Sequence, residues 1–537
     1  MSKRPATDEL ETVEFRPDAP GTPKRARVEA EPPPPPPPQQ DEVAVLPPAP
    51  ATRVDGDGED EAMGEEGAVR EGPAEGFQDL YLDTVDRRVL DFDFEKLCSV
   101  SLSNINVYAC LVCGKYYQGR GRSSHAYTHS LDADHHVFIN MTSLKVYVLP
   151  ECYEVESRTL DDIKYVVNPT YSKEDVKRLD SAEGVGEKRD LLGKTYMPGF
   201  VGLNNIKAND YLNVVAHSLA HVSPLRNYLM LEDLTFKPEL AQRFSTLIRK
   251  IWNPRAFKSH VSPHELLQEI SLRSSKKFTL LAQSDPVDFL HWFLNHLHLS
   301  LGGSKTRPGS SIVQKVFQGK LKIESQAITA KADASDRLRF EEAAEIKTDI
   351  ARFLMLTLDL PPKPIFKDEQ DKNIIPQVPL TQILSKYDGL HPQELLGHRR
   401  RYRLLHPLPP FLMFHIKRFA TNKFVAERNP TIVTFSPRAL DMSPYVEPNE
   451  QFPGGEPILY DLIANITHET VVETGRKEGE LRSIFKVQLL EKGRGKWLQI
   501  QDLFVEEVAR ELLFTSESYV QIWERRKGSA KGKGKAQ

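Results

Sequence analysis

Four side chains have the types and spacing to hold a metal ion together. Cys110 and Cys113 form a C-x2-C pair, and His129 and His135 follow in the pattern C-x2-C-x15-H-x5-H. Two thiolates and two imidazoles make a closed tetrahedral zinc set, so the ion they imply is structural. The chain has four cysteines in all, Cys98, Cys110, Cys113 and Cys152. Their confinement to one short region suits a metal site in a reducing compartment better than a disulfide framework. The competing reading is two buried cysteines beside surface histidines. A second candidate is Asp210, which stands ahead of an apolar stripe of Leu212, Val215, Ala216, Leu219 and Val222. That period predicts a helix from about Tyr211, with the Asp210 carboxylate as its N-cap and Pro224 as its stop. On spacing alone this is a capped core helix.

The metal set needs a scaffold. Short strands are predicted at 107–112, 137–139 and 146–149, with Gly119-Arg120-Gly121 between them, which puts a compact domain over 77–168. A domain of that size gains much of its stability from a metal clip. Residues 1–76 read as a disordered tail, because the proline run at 32–38 favours polyproline II and the acidic stretch at 55–66 carries no aromatic residue. Lys3-Arg4 and Pro23-Lys24-Arg25-Ala26-Arg27 read as a nuclear-import signal. Residues 169–199 read as a charged linker with some helix, 200–526 as a large domain and 527–537 as a basic tail. Within the large domain, 353–360 predicts a buried strand ended by Pro361-Pro362, and 341–349 a charged helical insertion. Residues 408–419 predict a strand with Leu412, Phe414 and Ile416 on one face and Met413, His415 and Lys417 on the other. His415 reads as a structural side chain rather than a base. The 537 residues suffice for two or three domains, and the net charge of −4 argues against a generally nucleic-acid-binding surface. No apolar run of membrane-spanning length and no signal-peptide pattern occurs, which predicts a soluble intracellular protein with no membrane partner.

Several of these stretches resemble known words. Gly202-Leu203-x-Asn205-Ile206-x-x-x-Asp210-Tyr211-Leu212-Asn213 resembles the cysteine box of the ubiquitin-specific proteases. Leu408-Pro409-Pro410-Phe411-Leu412-Met413-Phe414-His415-Ile416-Lys417-Arg418-Phe419 resembles that family's Leu-Pro-Pro-x-Leu-x-Ile-His-Leu-Lys-Arg-Phe almost word for word. Residues 283–290, 317–321 and 460–468 resemble further boxes, in the family's order. The resemblance implies an α+β, papain-like fold of thumb, palm and fingers. No cysteine follows Phe317-Gln318-Gly319-Lys320-Leu321, so these fingers are expected to be metal-free. The metal-bearing region, with CLVCGKYYQGRG, SHAYTH and HHVF, is similar to the ubiquitin-protease-type zinc finger. Relatives hold further zinc through a second C-x-x-C and a cysteine before Gly-Arg. This chain has Cys98-Ser99-Val100-Ser101 and Gln118 there. Cys98 and His125 read as remnants of that lost site, or Cys98 as a small buried residue.

The resemblance also implies what has happened to catalysis. Asp210 falls where the family keeps its nucleophilic cysteine, and Asn205 matches the asparagine that stabilises the oxyanion. Glu480 falls at the catalytic histidine, within a residue or two, and Gln501 at the residue that orients the imidazole. A carboxylate is a weak nucleophile toward an amide, Glu480 cannot shuttle a proton as an imidazole does, and Gln501 has nothing to orient. Two carboxylates activate water only at close approach with a shared proton, which the motif does not supply. The expectation is a pseudoenzyme with no catalytic residues. Over about 77–526 the chain resembles the inactive ubiquitin-protease-like branch of the spliceosomal tri-snRNP. That implies a nuclear scaffold for pre-mRNA splicing with tri-snRNP proteins as partners, direct or indirect contact with small nuclear RNA left open, and ubiquitin bound weakly if at all. Two other readings are a ubiquitin-binding adaptor outside splicing and an active deubiquitinase.

Overall fold

The computed structural model describes residues 80–181, 186–279, 281–332, 338–362, 376–395, 397–421, 426–450, 456–472 and 481–526. The tail with its proline run and basic clusters, Glu480, and the tail at 527–537 lie outside those residues.

The metal-bearing domain is an antiparallel sheet in the order β2-β1-β3-β4-β5, from β1 (Val107–Cys110), β2 (Tyr116–Gln118), β3 (Val137–Asn140), β4 (Val146–Val148) and β5 (Tyr153–Val155). Alternation along these short strands splits their side chains between two cores. Val107, Ala109, Val137, Ile139, Val146 and Val148 pack beneath α2 (Asp161–Val167), through Ile163 and Val167. Tyr108, Cys110, Phe138 and Tyr147 face the other way, with Ala126 of α1 (His125–Ala133). The three strands expected here are present: β1 and β4 stop short of 112 and 149, and β3 runs one residue further than expected, to Asn140. The two outer strands were not expected: each has three residues, and a polar or charged side chain, Gln118 in β2 and Glu154 in β5, interrupts the short apolar run that marks β4.

The stretch at 169–199 is not a loose linker. Ser172 and Asp175 form a capping box on α3 (Lys173–Arg178), and Val176, Leu179 and Tyr196 join the core of the next region. Asp180 accepts two hydrogen bonds from the buried Arg226 guanidinium, at 3.0 and 2.9 Å. A few apolar residues scattered among the charges were enough to dock the segment.

Six helices make the thumb: α4 (Asp210–Ala220), α5 (Ser223–Leu231), α6 (Glu239–Ile251), α7 (His264–Arg273), α8 (Pro286–Ser300) and α9 (Ile312–Phe317). Every residue of α4 is buried. Its N-cap is Asn209, so Asp210 is the first helical residue rather than the cap. Pro224 opens α5 instead of merely stopping α4, since a first-turn proline gives up only an N–H that has no helical partner.

The fingers are a sheet in the order β7-β6-β10-β9, built from β6 (Gly319–Ala332), β7 (Leu338–Phe353), β9 (Gln393–Leu395) and β10 (His398–Leu405). The helix expected at 341–349 is therefore part of a strand, paired with β6 from Gly319↔Phe353 to Ala332↔Leu338. Charge content suggested helix, and the ladder overrode it. The buried strand expected at 353–360 is divided between the end of β7 and β8 (Leu356–Asp359).

The palm is an eight-stranded sheet. Its path runs β8-β11-β16-β12-β13-β14-β15, with β11 (Phe411–Lys417), β12 (Leu459–Val472), β13 (Leu481–Glu491), β14 (Lys496–Gln501), β15 (Phe504–Val508) and β16 (Glu517–Arg525). The alternation read along β11 holds: Leu412, Phe414 and Ile416 enter one core, while Phe411 and Met413 enter the other. His415 stands edge-on to Tyr519 at 5.3 Å, and burial holds its pKa down to about 3. Among the described residues no helix is long and apolar enough to cross a membrane.

The finger domain is seated on the thumb by residues 91–95. Lys250 of α6 is buried, and its Nζ donates to the Phe92 carbonyl at 2.7 Å and to Asp93 Oδ1 at 3.0 Å. Asp93 Oδ2 accepts the Ser262 N–H at 3.0 Å. Lys258 pairs with Asp91, and His264 lies 3.2 Å from Glu95. Phe257 sits in the finger's own core.

Candidate functional site

The four predicted metal ligands come together. Cys110 ends β1, Cys113 sits in the turn after it, His129 lies on α1 and His135 just beyond. The ligand atoms all lie within 4.8 Å of one another. Cys113 Sγ is 3.5 Å from His129 Nε2, which is 3.1 Å from His135 Nδ1. A tetrahedral ion bound at roughly 2.0–2.3 Å sets ligand separations of about 3.3–3.8 Å, close to those seen here, and the two-thiolate, two-imidazole donor set suits zinc. The turn depends on Gly114, at φ +75°, where an added Cβ would meet the Val89 carbonyl oxygen at 2.5 Å. The Cys110 thiol hydrogen-bonds Cys113, and His135 and His129 assist, which holds Cys113 down to about 4 while Cys110 is pushed up. The thiolate is the form that binds metal.

The positions of the second site are also neighbours, without a ligand set. Cys98 is buried, and its Sγ accepts the Ser101 N–H at 3.4 Å. Ser101 Oγ donates to Gln118 Oε1 at 2.8 Å. Hydrogen bonds thus join Cys98, Ser101 and Gln118, the positions that the resemblance assigns to a further metal site. Neither Cys98 nor His125 belongs to a metal-ligating group among the described residues.

At the head of α4 the Asp210 carboxylate reaches across to the palm. Its Oδ2 accepts Gln283 Nε2–H at 2.6 Å and the Phe485 N–H at 3.2 Å. Gln283 Nε2 also donates to the Ser483 carbonyl at 2.9 Å. Asp210 and Gln283 therefore staple the thumb to β13. Asp210 meets Phe485 and its partner Gln283 meets Ser483, both further along the chain than Glu480, which lies outside the described residues. Asp210 is 3% exposed, and among the described residues its Oδ1 is buried without a partner.

Burial raises the Asp210 pKa above 3.8, and the bonds from Gln283 and Phe485 only partly offset this. A group whose pKa is raised on folding contributes stability below its unfolded pKa and loses it as pH rises through the folded value. An amide at this position does not titrate, so Asp210→Asn should gain stability relative to the parent chain as pH climbs from below 3.8 to neutral. Paired denaturant melts at both ends of that range measure the change, and an unchanged or falling difference refutes it.

Asn205, the residue matched to an oxyanion donor, is engaged elsewhere. Its Nδ2 donates to Asp502 Oδ2 at 3.0 Å, and its Oδ1 accepts the Asn209 N–H at 3.1 Å. Asn213 Nδ2 donates to Asp502 Oδ1 at 3.2 Å, and Asn209 Nδ2 to Asn213 Oδ1 at 3.1 Å. Gln501 lies half-buried at the end of β14, so the residue after it, Asp502, is the one that enters the site. The resemblance assigns a role to Gln501 and none to Asp502, the residue next to it. His468 is buried between Phe419 and Phe485, with Glu517 at 3.7 Å, on the palm side.

Comparison with known proteins agrees with this geometry. The family described as ubiquitin carboxyl-terminal hydrolase matches residues 201–523, and the zinc finger in ubiquitin-hydrolases and other proteins matches 98–160. The chain is 53% identical over 454 residues to the probable mRNA-splicing protein ubp10 of Schizosaccharomyces pombe, covering 83% of this chain and 88% of that protein. It is 46% identical over 462 residues to the human ubiquitin carboxyl-terminal hydrolase 39, covering 83% and 80%. A crystal structure of an essential yeast splicing factor superposes with a TM-score of 0.66 at 33% identity, covering 83% of this chain and all (100%) of that one. The chain belongs to the ubiquitin carboxyl-terminal hydrolase family, with the family's zinc finger ahead of the hydrolase fold.

Proposed function

We propose that this chain is a non-catalytic assembly factor of the spliceosomal tri-snRNP, acting in pre-mRNA splicing in the nucleus. One observation carries the loss of catalysis: a buried carboxylate, stapled to the opposite wall, stands where a cysteine hydrolase needs a free thiolate. Asp210 cannot both hold Gln283 and Phe485 and attack an amide, and Asn205 is bound to Asp502. The splicing role rests on relatives that carry splicing names and match along most of their length. The Cys110, Cys113, His129 and His135 set holds zinc as a structural ion, because all four positions are protein ligands and none is left for substrate.

Two measurements test the reading. The full-length chain should show no turnover of a ubiquitin-amide reporter above buffer, and Asp210→Cys alone should not create any. Turnover by the parent chain that disappears in Asp210→Ala would overturn the pseudoenzyme assignment. Separately, the tagged chain should co-sediment from nuclear extract with the small nuclear RNAs of the tri-snRNP. Migration alone, or with ubiquitin conjugates, would remove the splicing assignment and favour an adaptor.

A further inference from the structure

The outer edge of the fingers sheet is long and exposed. β7 ends that sheet, and among the described residues no strand pairs with its outer side. It has 16 residues, about three times the usual strand length. Its ladder to β6 shifts register once, between Gln326 and Ile328, and then runs evenly from Gln326↔Ile346 to Gly319↔Phe353. The bulge bends the strand before Ile346 and leaves a regular edge after it. Every residue from Glu345 to Ile350 is exposed, Ile346 at 50% and Ile350 at 66%. A regular edge with apolar side chains is a template for another strand, and charge on it decides which strands are turned away.

Here the order of the residues makes that decision. Residues 346–350 read Ile-Lys-Thr-Asp-Ile. Side chains alternate along a strand, so Ile346, Thr348 and Ile350 share one face and Lys347 and Asp349 the other. Two copies laid antiparallel about a two-fold axis at Thr348 set Ile346 against Ile350, Lys347 against Asp349 and Thr348 against its own counterpart. Opposite-charge and Thr–Thr pairs stabilise a ladder, and the isoleucines cover one another's exposed surface. Sliding one copy by two residues either way brings Lys347 against Lys347 or Asp349 against Asp349, and like charges directly opposite are destabilising. A slide of one residue opposes side chains from different faces. Among the described residues neither Lys347 nor Asp349 forms an ion pair, so both charges are available to a second copy.

We propose that the free chain pairs with a second copy of itself through the outer edges of β7, antiparallel and centred on Thr348, so that two fingers sheets become one. This goes beyond the assembly reading and does not depend on it. Five residues a side make a small interface, so the association is weak and reversible.

Sedimentation equilibrium of the full-length chain, from micromolar to millimolar, should show monomer and dimer in exchange. Lys347→Glu sets two carboxylates against each other in both charged pairs, and Asp349→Lys sets two ammonium groups there. Each variant alone should dimerise about tenfold more weakly than the parent. The two variants mixed should associate with each other as tightly as the parent does with itself, because each supplies the charge that the other lacks. Lys347→Glu combined with Asp349→Lys in one chain should regain the homodimer. Both side chains are exposed, so the melting midpoint of every variant should match the parent's. A parent that stays monomeric throughout overturns the proposal. Single variants that dimerise as well as the parent overturn it too, since the contact then lies on another face. A mixture or a double variant that fails to recover association overturns the register and with it the proposal.

Discussion

Stripping zinc from the full-length chain should melt the finger sheet and leave the thumb and palm folded. The finger strands are three or four residues long, and they divide their side chains between two thin cores. α1 buries only Ala126 and Ser130, so little besides its metal ligand holds it to the sheet. A structural zinc contributes about 10–16 kcal/mol of binding free energy. A whole domain is usually stable by only about 5–15 kcal/mol, so an ion bound by these four ligands would decide whether this one folds. Cys110→Ser should act in the same direction as a chelator. Hydrogen exchange would follow both: amides of β1, β3 and α1 should lose protection, while those of β11 and β16 keep it. Full protection of the finger after metal removal would show that its cores suffice and that the four ligands are incidental.

Lys250→Met should release the finger from the thumb while each part stays folded. Lys250 is buried, and its ammonium is shared between the Phe92 carbonyl and Asp93. Removing one member of a buried ion pair costs about 3–5 kcal/mol, because the other charge stays buried without a counter-ion. Asp93 would keep only the Ser262 N–H. The neighbouring pairs, Lys258 with Asp91 and His264 with Glu95, are partly exposed, and such contacts contribute at most about 1 kcal/mol each. Limited proteolysis near 169–199 should therefore accelerate sharply in the variant. Adding Asp93→Asn should recover part of the loss, since the stranded charge is then gone. If Lys250→Met were cut no faster than the parent, the apolar contact through Phe257 would be the true fastening.

Burial alone would lower the Lys250 pKa, but Asp93, Glu265 and Asp91 more than reverse this and lift it above 10.5. A raised pKa contributes stability that is fully present below the unfolded value and is lost as pH rises through the folded one. As far as Lys250 is concerned, the seat should hold through neutral pH and weaken only in strong alkali.

How far these features could be read from the residues depended on whether their partners were local. The metal set was readable because all four ligands fall within 26 consecutive positions, Cys110 to His135, with a spacing that few other roles require. The α4 stripe and the alternation along β11 were readable because each follows one element's period. Lys250 carried no signal, since its partners lie more than 150 positions away, on a strap from another domain. Asp502 was missed for the same reason, as its partners Asn205 and Asn213 come together with it only in the folded chain. The role of Asp210 was half visible. Its position in the motif excluded a thiolate, but the bonds to Gln283 and Phe485 needed the thumb and palm in contact. The segment at 341–349 misled because a long charged hairpin looks like a solvated helix until its partner strand is known.

The place of β16 in the palm bears on how the molecule is made. It is the last strand of the described chain, yet it lies inside the sheet, with β11 on one side and β12 on the other. Trp523 and Gln521 on it are fully buried. During synthesis the ribosome delivers every thumb helix and six of the seven strands on the palm's path before the one that joins its two halves. Until 517–525 emerges, β11 and β12 each show an unpaired edge, the condition under which nascent chains stick to one another. A newborn copy therefore needs chaperone cover until its final strand slots in, and a premature stop shortly before Glu517 leaves the palm open however complete the rest of the chain is.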